Sequence, residues 1–210
     1  MGPGQTLTPP PPRTAAEISA EVTLGRKARS LLAPDLRPGQ YLALLIRHRL
    51  HADAIRYMAH SLLNREAVWW ASLCVRHALD DQAPAAHRAA LGAAVRWVIQ
   101  PDDVHRRAAG DAATAAGKRV PAGSVARAAL YAAGPPPPAG AVPSSPPTSP
   151  GPGAAPGPMP ALILPSLSAK LCASGILLAV TRGPAADLSL RLRQSIALGL
   201  DVAYGTNRWE

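Results

Sequence analysis

The stretch "NREAVWWASL", residues 64–73, places two tryptophans side by side in a chain that contains no phenylalanine. Successive residues of an α-helix point about 100° apart, so a single apolar stripe holds only one of the two rings. Helical winding puts Trp70 on a broad apolar face with Ala71, Cys74 and Val75, and Asn64 is placed to cap the start of the helix. The stretch therefore predicts an amphipathic helix with Trp70 in the core.

Trp69 points away from that face, toward the side that carries Arg65, Ser72 and Arg76, close to Leu73. Two interpretations are open for this side. In the first, the helix is covered on two sides and Trp69 packs beneath a neighbour such as the C-terminal helices. In the second, Trp69, Arg65, Arg76 and Leu73 bind a partner protein, because tryptophan and arginine dominate binding hot spots. These four residues are our candidate site.

Local signals along the rest of the chain also predict helices. Thr14 and Glu17 have the spacing of a capping box, and Pro38 suits the first turn of a helix. Asp53 is a candidate N-cap for one helix, and Asp102 or Asp103 for another. No stretch alternates apolar and polar residues in the way a strand requires. We therefore predict an all-α fold, either a multi-helix bundle or short stacked helical hairpins.

The composition divides the chain into four parts. Residues 1–13 are expected to form a disordered tail, and residues 14–134 a helical domain. Twelve prolines and no charged residue fall within 135–160, which predicts a flexible linker before the last two helices. Its "PSSPPTSP" motif leaves open a second role as a ligand for a proline-binding domain. Residues 161–210 are expected to form two helices that pack back on the helical domain, because two helices alone bury too little surface.

The net charge and the targeting signals favour a protein as the partner over nucleic acid or a membrane. Lys and Arg total 22 against 13 Asp and Glu, a net charge of +9, yet the arginines are dispersed, so weak nucleic-acid binding is only an alternative. The most apolar stretch, residues 161–180, is interrupted by Pro165, several serines and Lys170, so we expect no membrane span, and we expect no secretory signal before the first helix. The two cysteines lie in apolar helical patterns, which favours buried thiols and a cytoplasmic location.

The motifs of known catalytic and metal sites are absent from the sequence. No HExxH, CxxC, glycine-rich phosphate loop or GxSxG elbow is present, so we predict no cofactor and no metal. The alternative is an enzyme with an unrecognised polar site, for which His48, His51 and Asp53 form the best cluster. Cys74 and His77 have the spacing of a nucleophile and its base, but Cys74 falls at the centre of the apolar face.

Three segments carry a resemblance to a known family. They are "RWVIQP" at 96–101, "GLDVAYGTNRW" at 199–209 and "DAIRYMAHSLLNREAVWWASLCVRHAL" at 53–79. With the proline-rich insert, they resemble a family of small bacterial proteins described only as a domain of unknown function, over about residues 14–210. The resemblance implies no catalytic residue. The resemblance also implies that genes of relatives accompany secretion-machinery genes, which suits an accessory or adaptor role. We therefore expect a protein that binds other proteins and has no catalytic activity.

Overall fold

The computed structural model describes residues 13–80, 82–132 and 164–209. These residues form α-helices, one 3-10 turn at Ala185–Asp187 and no strand, which confirms the all-α prediction. The predicted tail, apart from Arg13, and the predicted linker at 135–160 lie outside the described residues. The helices are α1 (Ala15–Ala20), α2 (Arg26–Ser30), α3 (Pro38–Arg47), α4 (His51–Ser61), α5 (Asn64–Ala78), α6 (Ala85–Ile99), α7 (Asp103–Ala116), α8 (Pro121–Tyr131), α9 (Leu164–Val180) and α10 (Leu188–Ala203).

Several helix starts follow directly from local sequence. The Glu17 N–H donates to the Thr14 hydroxyl at 3.2 Å, and the Thr14 N–H donates to the Glu17 carboxylate at 2.7 Å, which confirms the capping box. Pro38 is the first residue of α3. Asp102 accepts the His105 N–H at 2.8 Å and caps α7. Each of these signals needs only residues within one turn, so no distant partner displaces it.

Two predicted caps are wrong, because a distant backbone group takes the side chain instead. Asn64 is the first residue of α5, and its amide nitrogen donates to the Ala132 carbonyl at 2.6 Å, at the end of α8. Glu66 accepts the N–H of the actual N-cap residue of α5. Asp53 lies within the first turn of α4, where it accepts the Gly25 N–H at 3.1 Å. Tertiary contacts thus override local capping preference at both sites.

Helix α5 lies at the centre of the bundle and packs against α6, α8, α9 and α10. Helix α9 packs against α8, α5 and α4, with Cys172, Ala173 and Ile176 buried. It lies antiparallel to α8, because Ser168 donates to the Ala128 carbonyl while Gly175 approaches Val125. A Cβ on Gly175 would lie 2.9 Å from the Val125 side chain, so the glycine permits this close approach.

Helix α10 lies across α4 and α5. The Trp70 indole, fully buried as its position on the apolar face predicts, donates to the Ser195 carbonyl at 2.7 Å. Gly199 faces Met58 and Trp70 so closely that a Cβ at this position would overlap the Met58 sulfur. Among the helices described, none combines the length and hydropathy needed to cross a membrane.

Candidate partner-binding surface

Trp69 lies on the side of α5 opposite the core tryptophan, where it meets the segment that follows α10. Its indole nitrogen is 3.3 Å from both the backbone carbonyl and the side-chain oxygen of Asn207. Its ring packs edge-to-face on Trp209, with 6.5 Å between ring centroids and 77° between ring planes. The two indoles of the pair therefore point in different directions, and the chain itself covers part of Trp69.

Arg65 lies one turn before Trp69 and completes this cluster. Its guanidinium donates to the carbonyls of Val98 and Ile99, which end α6 and lack partners within that helix. The same guanidinium lies 4.5 Å from the centre of the Trp209 ring, a cation–π contact. Arg65 and Trp69 thus hold Trp209 between α5 and the end of α6.

The remaining predicted residues do not join this cluster. Arg76 is exposed and lies eleven residues beyond Arg65, about 16 Å along the helix axis. Leu73 is partly buried against the core. Ser72, expected on the exposed side, is buried, and its hydroxyl donates to the Val68 carbonyl. Its burial follows from the packing of several helices around α5, which leaves little of α5 in contact with solvent.

Trp209 borders a cleft of about 400 Å³ at the end of α10. Polar and apolar side chains both contribute to its walls. The lining residues are Glu66, Val202, Ala203, Tyr204, Gly205, Asn207, Arg208 and Trp209. Trp69 and Arg65 therefore act on this cleft indirectly, by fixing the position of the tryptophan that forms one wall.

An apolar groove of about 350 Å³ lies on the other side of Tyr204, between α3, α4 and α10. No lining residue carries a charge. Tyr204 is 81% exposed and borders both the groove and the cleft. We call the groove and the cleft together the Tyr204 surface. The groove is lined by Pro38, Gly39, Leu42, Ala43, Ile46, Met58, Ser61, Leu62, Leu200, Ala203 and Tyr204.

Basic residues lie beyond the far end of the groove. Arg193 precedes Leu200 by seven residues, which places it on the same stripe of α10 two turns away. Burial is the main cause that lowers the pKa of His51, and the positive charges of Arg193 and Arg49 lower it further. Arg49 follows the last groove-lining residue of α3, Ile46, by three residues, and both Arg49 and Arg193 lie close enough to His51 to lower its pKa.

The sequence did not indicate the Tyr204 surface. Its apolar residues belong to three helices that are far apart in the chain, and each of them fits an ordinary core-facing pattern. The one signal was the aromatic residue directly before Gly205, which has a positive φ of 72° and follows the end of α10. A tyrosine at a helix end is also common in cores, so that signal alone does not identify a surface.

The structure places the residues of the alternative enzyme hypothesis at the end of α3 and in the first turn of α4. His48 is exposed at the end of α3, and His51 begins α4. The Asp53 carboxylate is bound to the Gly25 N–H and to Arg56, 3.1 Å away in each case. Within the part of the chain that the structure describes, no three His, Cys, Asp or Glu side chains are grouped as metal ligands.

Cys74 and His77 border the same small cleft, of about 180 Å³, beside Ser195. Burial raises the pKa of the Cys74 thiol to about 12, opposite to the change that would activate a nucleophile. A thiol in this environment stays protonated at neutral pH, so the geometry provides no reactive thiolate at this cleft.

Many arginines bind groups of the chain itself. Arg106 pairs with Asp103 and donates to the Leu130 carbonyl, and Arg191 donates to the carbonyls of Val180 and Pro184. Arg127 donates to the Ala113 carbonyl. Guanidinium groups used in this way are already partly neutralised or hydrogen-bonded, which weakens the argument from net charge for nucleic-acid binding.

The fold and the Tyr204 surface define an all-α helical bundle with an exposed apolar groove. Comparison with family models matches residues 41–157 to a family of unknown function, DUF6931. The match covers more than half of the chain, so the chain belongs to this family, which confirms the resemblance to a domain of unknown function. The matched residues include α4 to α8 and the part of α3 from Tyr41 onward, whereas α9 and α10 lie beyond them. No curated protein and no solved structure matches the chain.

Proposed function

We propose that this protein is a non-catalytic protein–protein interaction protein, an adaptor, and that the Tyr204 surface binds its partner. The observation that carries the proposal is the exposure of Tyr204 between an uncharged groove and an adjoining cleft. Tyrosine provides a large, rigid contact area with a polar tip, and such residues are frequent at the centres of interfaces. Exposed apolar grooves with polar surroundings are typical sites for binding another protein.

We propose an amphipathic helix of the partner as the occupant of the groove. The side of α3 that lines it, from Pro38 to Ile46, is about 12 Å long, which matches about two turns of a docked helix. Met58 in the floor adds a flexible side chain that adapts to different aliphatic residues. Arg49, which follows α3, and Arg193, two turns before Leu200 on α10, favour acidic residues at one end of that helix.

The four residues singled out in the sequence keep a part in this proposal. Trp69 and Arg65 support Trp209, which forms a wall of the cleft, so their removal is expected to weaken binding indirectly. Leu73 is partly buried against the core and contributes only through the packing of α5. Arg76 is exposed and distant from the cleft, so we assign it at most a contact at the edge of a large partner.

We further propose that the protein acts in the cytoplasm and that a component of a bacterial secretion-type machinery is the first partner class to test. The family resemblance motivates this choice of machinery. The alternatives, an enzyme near His48, His51 and Asp53 or weak nucleic-acid binding through arginines, make different predictions. Nucleic-acid binding would disappear with salt, whereas burial of apolar side chains persists.

Site-specific photo-crosslinking in cells of the source organism tests the proposal. A benzophenone amino acid replaces Tyr204 in one variant and Val104 in a matched control, because Val104 is also highly exposed, at 74%, but lies outside the groove. The proposal predicts one protein crosslinked at position 204 and not at 104, which then binds the purified chain directly. Equal crosslinking at both positions, or none at 204, would overturn it.

A further inference from the structure

A second cavity, of about 140 Å³, lies between the α1–α2 connection, α4 and α9. It uses the face of α4 that carries Arg56 and His60, opposite the face that lines the apolar groove. A volume of 10–15 Å³ is about what one water needs, so this cavity has room for a small polyatomic ion. The lining residues are Val22, Thr23, Arg56, His60, Lys170, Ala173, Ser174 and Leu177.

The polar side chains that line this cavity are rich in hydrogen-bond donors and include no carboxylate, although Asp53 and Glu21 contact two of the lining residues from outside it. Arg56 and Lys170 supply positive charge, and Thr23 and Ser174 supply hydroxyl groups, with His60 as a fifth polar group. Arg56 uses one terminal nitrogen to bind Asp53 at 3.1 Å, so its other N–H groups remain available for a ligand. The remaining lining residues are small or aliphatic and close the floor of the cavity.

His60 is the residue that points to a ligand. Its side chain is only 2% exposed, and its Nδ1 makes no hydrogen bond within the described part of the chain. The nearest carboxylate oxygen, on Glu21, is 3.7 Å from Nδ1, and Glu21 is also bound to Arg13. A buried polar atom without a partner is costly, and such atoms in native proteins commonly indicate an unfilled interaction.

We propose that this cavity binds a tetrahedral oxyanion, either inorganic phosphate or the phosphate group of a small monoester. Five side chains from three elements carry hydrogen-bond donors, which is more than the two oxygens of a carboxylate ligand require. A phosphate group has more oxygens that accept hydrogen bonds, so it matches this set of donors better. Arg56 and Lys170 provide the charge, and the two hydroxyls complete the contacts. His60 donates to the anion when it is protonated.

The protonation of His60 is coupled to this binding. Burial lowers the pKa of His60, Lys170 of α9 and Arg13 before α1 lower it further, and Glu21 at the end of α1 acts in the opposite direction. Arg56 adds another positive charge from the same helix. A bound anion favours the imidazolium, whose Nδ1–H makes no hydrogen bond within the described part of the chain and lies 3.7 Å from Glu21.

The test titrates the full chain with inorganic phosphate at constant ionic strength, with chloride as the reference, and follows the imidazole resonances of His60 by NMR. Lys170→Gln removes one proposed contact at an exposed position, and Lys118→Gln is the matched control on a distant turn. We expect saturable shifts in the wild type and in Lys118→Gln, and an affinity weaker by about tenfold in Lys170→Gln, the loss of one charge-assisted hydrogen bond.

A parallel titration with glycerol phosphate distinguishes the two sources, because the tighter ligand of the two identifies the natural form. Absence of a saturable shift with both ligands overturns the proposal. Equal affinities of Lys170→Gln and Lys118→Gln overturn it as well, since the anion would then bind elsewhere. Thermal unfolding in the same buffers provides a second readout, because a ligand of the folded state raises Tm.

Discussion

Gly199→Ala tests how closely α10 packs on the two helices beneath it. A glycine-to-alanine change inside a helix normally stabilises a protein by about 1 kcal/mol. At position 199, however, the new Cβ overlaps the Met58 sulfur and lies 2.8 and 3.0 Å from two atoms of the Trp70 ring. The ring cannot move easily, because it is fully buried and its nitrogen donates to Ser195.

Overpacking of this kind costs about 1–3 kcal/mol. At the upper half of that range, the cost outweighs the propensity gain, and we expect a net loss of about 1–2 kcal/mol. Gly92→Ala is the matched control, because its Cβ would meet only the flexible end of Arg96, at 3.5 Å. We expect that variant to be more stable than the wild type by about 0.5–1 kcal/mol.

Urea unfolding followed by circular dichroism measures both effects. With a denaturant slope of about 2–3 kcal/mol/M, the midpoints of the two variants should differ by about 1 M. A third variant isolates the cause, since Met58→Ala provides space and should reduce the cost of Gly199→Ala. If Gly199→Ala unfolds at the same urea concentration as the wild type, or at a higher one, the packing of α10 described above is incorrect.

Three further predictions concern single side chains. Trp209→Ala removes the edge-to-face contact with Trp69 and the cation–π contact with Arg65. We expect a red shift of the tryptophan fluorescence and a free energy of unfolding in urea that is lower by about 1–2 kcal/mol. For the control variant Arg208→Ala, the free energy of unfolding should stay within about 0.5 kcal/mol of the wild type. Burial raises the pKa values of Cys74 and Cys172 to about 12. Both thiols should therefore resist a thiol reagent at pH 8 until the protein unfolds. Rapid labelling of the native protein would contradict their burial. The pKa values of His51 and His60 lie below their ordinary value of 6.5 in the folded protein, so the unfolded chain binds more protons and the free energy of unfolding should fall as the pH drops through that value. His60→Gln should reduce this pH dependence, and an unchanged slope would show that His60 does not contribute.

The features that the sequence predicted are those set by neighbours within a few turns. The helical period around Trp70 was sufficient to place that ring in the core, and Thr14 and Asp102 cap helices through residues three positions away. Asn64 and Asp53 were misassigned because their partners, Ala132 and Gly25, are distant in the chain. No helical pattern specifies which distant backbone group a polar side chain will find.

The Tyr204 surface shows the same limit for function. The periodicity of α3 and α10 predicts apolar faces, but not which part of a face another helix leaves uncovered. Similarly, the winding of α5 directed Trp69 away from the core without revealing that Trp209 meets it there. The candidate site therefore depends on how α10 and the segment after it pack on α4 and α5, and that arrangement is a property of the whole chain.

The most direct test of the proposed role of the Tyr204 surface is the dissociation constant for binding of the purified partner to matched variants of this protein. Tyr204→Asp places a charge between the groove and the cleft, whereas Val104→Asp makes the same kind of change at a similarly exposed residue elsewhere. We predict that Tyr204→Asp weakens binding at least tenfold, as expected for a central contact worth more than about 1.4 kcal/mol, and that Val104→Asp leaves it unchanged. Equal affinities for the two variants, with both folded, would contradict the account.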